Sequence, residues 1–121
     1  MPMIVLDENT YHGMSEKSYL RPAQIPIRRA RFEYLVNEYT PNENDEWIMF
    51  HHPNHFVIYS GLTSFCVFDA EYVELPREDE EDPLIAVISK IRINQDKGQC
   101  PAQMQERDGF GVLSTLINEK L

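Results

Sequence analysis

The sequence is short of cysteine, glycine and positive charge, and it lacks a long apolar run. Its two cysteines, Cys66 and Cys100, lie far apart in no metal-like spacing, and nothing in the sequence supports a disulfide between them. Glycine-rich phosphate loops, Gly-x-Ser-x-Gly elbows and dinucleotide fingerprints are missing. No apolar run approaches the length of a membrane-spanning helix. These absences favour a non-enzymatic protein without a cofactor.

The shortage of positive charge indicates the class of partner. The chain carries 20 acidic and 11 basic residues, which gives a net charge of −9 at pH 7 and a pI near 4.8. Such a surface repels nucleic acids and anionic membranes, and it attracts basic proteins. Residues 1–7 lack the positive charge and the apolar length of a signal peptide. We therefore expect a cytoplasmic protein that binds a basic protein and neither nucleic acid nor membrane directly.

The centre of the chain predicts an antiparallel sheet. Three segments rich in aromatic and β-branched residues follow one another, with turn-forming residues between them. Their short connections favour antiparallel pairing of neighbours. Because two of the segments are apolar on both faces, the sheet should be covered on both sides, or covered on one side and used as an interface on the other. The segments are Trp47–His51, His55–Tyr59 and Ser64–Phe68, the last continuing in weaker form to Leu75.

Two segments have the apolar periodicity of a helix. One spans Ile27–Tyr39 and begins after a proline, and the other follows Gly109. Residues 84–93 are ambiguous: Asp82-Pro83 resembles a helix start and favours a helix, although the alternating apolar residues also fit a strand. A short strand is expected at Met3–Leu6, and an irregular connection over residues 9–20. The prediction is a single α+β domain with a small, mainly antiparallel sheet of three to five strands and one or two packed helices.

The densest charge cluster follows the third predicted strand. Eight carboxylates occur within fourteen residues, against one arginine, Arg77. They form either a solvated face or a surface complementary to a basic partner. In its specific form, the second interpretation is an inhibitor or immunity-type protein, a nucleic-acid mimic that blocks the basic groove of a nuclease or another nucleic-acid-handling enzyme. The predicted partner-binding residues are Asp69, Glu71, Glu74, Glu78, Asp79, Glu80, Glu81 and Asp82, with Trp47, Tyr59 and Tyr72 as aromatic anchors.

Three histidines give the alternative hypothesis, a metal-binding domain or metal-dependent enzyme. His51, His52 and His55 are close in sequence, and neutral imidazoles bind transition metals. However, adjacent residues on a strand point to opposite faces, so His51 and His52 should not share an ion. A pairing of Cys66 with a histidine as nucleophile and base is disfavoured, because the thiol lies in an apolar strand where burial raises its pKa. A third hypothesis is a structural subunit that buries its sheet in an oligomer such as a homodimer.

Overall fold

The computed structural model describes residues 6–76, 84–100 and 109–121. Five strands form one antiparallel sheet in the order β1-β5-β4-β3-β2, and two helices follow the first and last strands. The predicted α+β class is confirmed. The strands are β1 (Ser18–Arg28), β2 (Trp47–His52), β3 (His55–Ser60), β4 (Cys66–Glu74) and β5 (Leu84–Asn94). Helix α1 (Arg29–Glu33) continues in a wider, π-type turn over Tyr34–Glu38, and α2 (Gly109–Thr115) continues likewise over Leu116–Lys120.

The central strands form where the sequence predicts them. A two-residue turn, Pro53-Asn54, joins β2 to β3 and places His52 directly opposite His55. Asn54 has φ 67°, a left-handed conformation that asparagine tolerates better than most residues. The third predicted strand begins at Cys66, two residues later than expected, and extends to Glu74.

Residues 84–94 form a strand, so the preference for a helix there is wrong. β5 pairs with β1 on one side and β4 on the other, and its β-branched residues Ile85, Ile88, Ile91 and Ile93 are buried. A register shift in the pairing with β4 leaves Ser89 as an extra residue, so the buried Ile88 and Ile91 lie three positions apart instead of two. The resulting pattern imitates a helical stripe.

Strand β1 was also not predicted. It occupies part of the expected irregular connection and the first residues of the expected Ile27–Tyr39 helix, which instead begins at Arg29. Ile27 belongs to the sheet, where it pairs with Ala86 and is fully buried. Pro22 and Pro26 fit this strand because it lies at a sheet edge, where a missing N–H leaves no bond unmade. The expected strand at Met3–Leu6 falls largely outside the described residues.

One face of the sheet packs against both helices. Phe32 and Leu35 of α1, with Leu113 and Ile117 of the C-terminal helix, belong to the same buried cluster as the sheet residues. Full burial of one such side chain stabilises the fold by roughly 1.5–3 kcal/mol. Among the described residues, no helix has the length and apolar character needed to cross a membrane. The largest fully buried sheet residues on this face are Ile25, Ile27, Met49, Phe56, Ile58, Phe68, Ile88, Ile91 and Ile93.

The described residues cover the opposite face over only part of its width. Residues 7–12, the N-terminal segment, cross β2 and β3, and the Tyr11 ring lies 5.9 Å from that of Phe50 and 5.2 Å from that of Tyr59. Backbone hydrogen bonds between His12 and the residues flanking Phe65 fix the end of this segment. Beyond it lies the open face, formed by residues of β1, β4 and β5 that point away from the helices: Leu20, Asp69, Glu71, Val73, Val87, Lys90 and Arg92.

Candidate functional site

The predicted acidic residues do not share one surface. Asp69 and Glu71 lie on the open face, whereas Glu74 points to the helix side, because residues of a strand alternate between faces. The Asp69 carboxylate is 2.8 Å from Nδ1 of His55, and in the sheet it neighbours Arg92. Basic side chains therefore interrupt the negative charge of this face. Glu78, Asp79, Glu80, Glu81 and Asp82 lie outside the described residues.

Two of the three predicted aromatic anchors are not available to a partner in this structure. Tyr59 is 6% exposed and donates a 2.7 Å hydrogen bond to Glu8. Tyr72 is 5% exposed, packs against Phe56 and has its hydroxyl 2.7 Å from Nε2 of His51. Both tyrosines were predicted from the sequence to be surface anchors. The sequence does not distinguish a sheet that is covered on both faces from a sheet that is covered on one. Trp47 is also largely buried, but its ring lines a groove described below.

The three histidines do not converge on one point. His51 lies on the helix side of the sheet with Tyr72, whereas His52 and His55 lie on the other face. His52 contacts Glu8 at 2.6 Å, and His55 contacts Asp69. In the described ranges, no group of three or more His, Cys, Asp or Glu side chains is placed to hold a metal ion. His51 and His52 therefore point to opposite faces of the sheet, as expected for adjacent residues of a strand.

Both cysteines are buried free thiols. Burial, followed by the nearby charge of Asp69, raises the pKa of Cys66 to about 12. Its thiol donates to the carbonyl of Phe68 at 3.5 Å and faces no imidazole. Burial and the charge of Asp96 likewise raise the pKa of Cys100. Neither environment favours a thiolate nucleophile.

A groove lies between the helices and the edge strand β2 in the described part of the chain. Its volume is about 840 Å³, within the range of ligand-binding pockets, and it is open to solvent along one side. Sequence reasoning missed it, because its walls come from residues 34–47 and from the C-terminal helix, which are far apart in the sequence. The lining residues are Tyr34, Tyr39, Thr40, Asp45, Glu46, Trp47, Gly111, Val112, Thr115, Leu116, Lys120 and Leu121.

Local hydrogen bonds hold the sheet side of the groove in place. The backbone N–H of Met49, on edge strand β2, donates to the Tyr39 hydroxyl at 3.2 Å. The turn before β2 is closed by the Asp45 carboxylate, which accepts from the N–H of Asn42 at 3.2 Å. The N–H of Gly61 donates to the carbonyl of Glu46 at 2.7 Å. These bonds connect the end of α1, the turn and β2 into one wall.

The helix side of the groove depends on Arg31. Its Nε donates to the carbonyl of Ile117 at 3.0 Å, and its Nη2 donates to a backbone oxygen of Leu121 at 2.9 Å. The guanidinium also lies over the Tyr34 ring, 5.2 Å from its centroid. The Tyr34 and Tyr39 rings meet edge to face at 6.2 Å. The aromatic lining is therefore fixed relative to α2.

Carboxylates outnumber cations among the residues that line the groove. Asp45 and Glu46 are exposed at its rim, and Lys120 is the single cation among the lining residues. Burial is the main cause of the raised pKa of Tyr39, and the charge of Asp45 adds to it. The sequence has no lysine or arginine between Arg31 and Arg77. An acidic turn directly before the only tryptophan was the available signal for this site.

Comparison with known proteins adds no assignment. The sequence matches no protein-family model, and neither a curated protein nor a solved structure is significantly similar to it.

Proposed function

We propose that this protein is an acidic, non-enzymatic binding module whose groove holds a basic segment of a partner protein. The observation that carries the proposal is the combination, in one concave surface, of aromatic side chains with two exposed carboxylates at the rim. Trp47, Tyr34 and Tyr39 supply the aromatic part, and Asp45 with Glu46 supplies the charge. Lysine and arginine are the side chains that match both.

The chemistry of a basic side chain fits the groove in two ways. A cation over the face of a tyrosine or tryptophan gains about 0.5–1 kcal/mol at an exposed site. The methylene stem of lysine or arginine packs on apolar surface, here Val112, while its charged end stays near the rim. Because the groove is open along one side, it accepts a segment of a longer chain.

The net charge of −9 supports a basic partner at long range, since it accelerates the approach of a positively charged protein. A nuclease or another nucleic-acid-handling enzyme is the partner class we propose in the specific, inhibitor or immunity-type form of this function. Two buried free thiols fit a reducing compartment, and we therefore place this activity in the cytoplasm.

The test uses labelled peptides with alternating arginine and glycine, and glutamine-glycine peptides as the neutral probe. We expect the arginine peptide to bind more tightly, with shifts of the Trp47 indole resonance in NMR spectra. The double variant Asp45→Asn/Glu46→Gln should weaken binding about tenfold, because two rim charges are removed.

The matched control is Asp69→Asn/Glu71→Gln, which removes the same charge from the open face. It should keep most of the affinity. Equal losses in the two double variants would show that only net charge matters, and would overturn the assignment to the groove. For the inhibitor form, the purified protein should block a basic nuclease in a stoichiometric assay, and the groove variant should lose that effect.

A further inference from the structure

The open face carries a charge pattern that is ordered by strand. On β4 the outward side chains Asp69 and Glu71 are acidic, and on neighbouring β5 the outward side chains Arg92 and Lys90 are basic. The pairing register places Asp69 opposite Arg92 and Glu71 opposite Lys90. Each row across the sheet therefore holds one carboxylate and one cation side by side.

These charges are only partly satisfied within the chain. Asp69 contacts His55, and Arg92 donates to the Ser18 hydroxyl at 3.3 Å. Neither Glu71 nor Lys90 forms an ion pair with another residue in the described ranges. The row thus offers a carboxylate and an ammonium that remain available to a second molecule.

Apolar side chains lie beside the charged rows. The next row pairs Val73 with Val87, and Val73 is 49% exposed. At the β1 side of the Asp69 row, Leu20 is 55% exposed, and at its β3 side lies the half-buried Val57. The face therefore combines charged side chains with exposed apolar ones, whereas a face used only for solvation would be polar throughout.

We propose that the open face binds a second copy of this chain, sheet against sheet, about a twofold axis that runs parallel to the strands between β4 and β5. Such an axis exchanges the lateral positions of the two strands and leaves positions along them unchanged. β4 of one copy then faces β5 of the other. Packed sheets keep their strand directions within about 30° of each other, so the rows near the axis stay opposed.

The self-complementarity follows from the register. Glu71 of one copy lies opposite Lys90 of the second copy, and Asp69 lies opposite Arg92; symmetry makes each contact twice. The same operation places Val73 against Val87 and Leu20 against Val57. Because the outward charged residues of β4 are acidic and those of β5 are basic, each of these contacts joins opposite charges. The groove lies at the helix side and the β2 edge, so this interface is independent of the proposed partner site.

The experiment is analytical ultracentrifugation of the full chain at about 0.15 M salt, where exposed charges more than about 8 Å apart are largely screened. Wild-type protein should show a concentration-dependent dimer. Glu71→Lys and Lys90→Glu should each raise the dissociation constant about tenfold or more, because each creates two like-charge contacts. Glu74→Lys, on the same strand but the other face, should leave it unchanged.

The decisive sample is an equimolar mixture of the Glu71→Lys and Lys90→Glu variants. In a heterodimer both charge contacts are restored, so the mixture should dimerise more tightly than either variant alone. A fluorescent label on one variant identifies the mixed species. Circular dichroism checks that each variant folds; if a charge reversal unfolds the chain, Leu20→Ser removes an exposed apolar contact and should weaken the dimer instead. A wild-type protein that stays monomeric at all concentrations, or a mixture that stays monomeric, would overturn the proposal.

Discussion

The guanidinium of Arg31 joins α1 to the C-terminal helix by donating to the carbonyl of Ile117 at 3.0 Å. A second hydrogen bond from the same group reaches Leu121. The two helices are separated by most of the chain, so this side chain provides a polar connection across the helical layer. It also sets the position of the Tyr34 ring in the groove.

Replacement of Arg31 by lysine should therefore destabilise the fold. A lysine ammonium cannot reproduce the forked geometry that reaches two carbonyl oxygens, and hydrogen bonds to charged groups contribute about 1.5–3 kcal/mol each. We expect a loss of about 1–3 kcal/mol in the free energy of unfolding, measured by urea denaturation. Arg28→Lys, at an exposed position at the end of β1, is the control and should change stability by less than about 0.5 kcal/mol. Equal midpoints for both variants would contradict the proposed connection.

Gly61 is required by the close approach of two chain segments. A Cβ atom there would collide with the backbone carbonyl of Asp45, which cannot move without breaking the turn before β2. Gly61→Ala should cost about 1–3 kcal/mol, the usual range for overpacking, and should broaden or shift the Trp47 indole resonance at the groove.

Gly111, in contrast to Gly61, should tolerate an added side chain. An added Cβ at this position in α2 meets nothing within 4 Å. Gly111→Ala should stabilise the helix by about 0.5–1 kcal/mol, because alanine loses less backbone entropy than glycine. If the two alanine variants had the same melting temperature, the close contact at Gly61 would be refuted.

His51 should make stability depend on pH. Partial burial of its ring, and secondly the charge of His52, lower the pKa of His51 below its ordinary value of 6.5. In the unfolded chain the imidazole takes up a proton near pH 6.5, whereas in the folded chain it does so only at lower pH. The contribution of this residue to the free energy of unfolding is therefore constant above pH 6.5. It decreases as the pH is lowered from 6.5 to the pKa of His51 in the folded protein.

NMR titration of the imidazole resonances measures this directly, and the His51 signal should titrate below pH 6.5. In urea denaturation, the stability of the wild type relative to His51→Gln should decrease as the pH is lowered across the same window. A titration midpoint at or above 6.5 would show that partial burial of the ring does not favour its neutral form.

Cys66 should be unreactive in the folded protein. With a pKa of about 12, the thiol is about one part in ten thousand ionised at pH 8, and alkylating reagents react with the thiolate. Iodoacetamide should modify Cys66 only in urea, as read by mass spectrometry. Leu62→Cys, at a site that is 73% exposed, is the positive control. Rapid alkylation of Cys66 in native protein would indicate that the buried environment opens readily.

The sequence was sufficient for the central hairpin and the C-terminal helix, because their signals are local. Turn residues at Pro53-Asn54 and aromatic strands on both sides agree with the observed β2 and β3. β5 was misjudged because its neighbours on both sides, which explain its apolar residues, are separated from it in sequence. The edge position that tolerates the prolines of β1 is likewise a property of the assembled sheet.

The groove could not be predicted for the same reason, because it is formed by residues that are distant in the sequence. Trp47 was recognised as an anchor, but the residues around it come from α1, from the turn before β2 and from the C-terminal helix. Tyr59 and Tyr72 have similar aromatic surroundings in sequence and are nevertheless buried, since the N-terminal segment and α1 cover them. Spacing along the chain could not distinguish the three.

The edges of the sheet also affect how this protein behaves when it is concentrated. Amyloid growth adds strands to free backbone groups at a sheet edge. Here one edge strand contains Pro22 and Pro26, and on the other the Met49 amide is already bonded to Tyr39. Both ends of the sheet are thus poor templates for fibril extension. Aggregation under heat should proceed through unfolded chains, and intact folded molecules should not act as seeds.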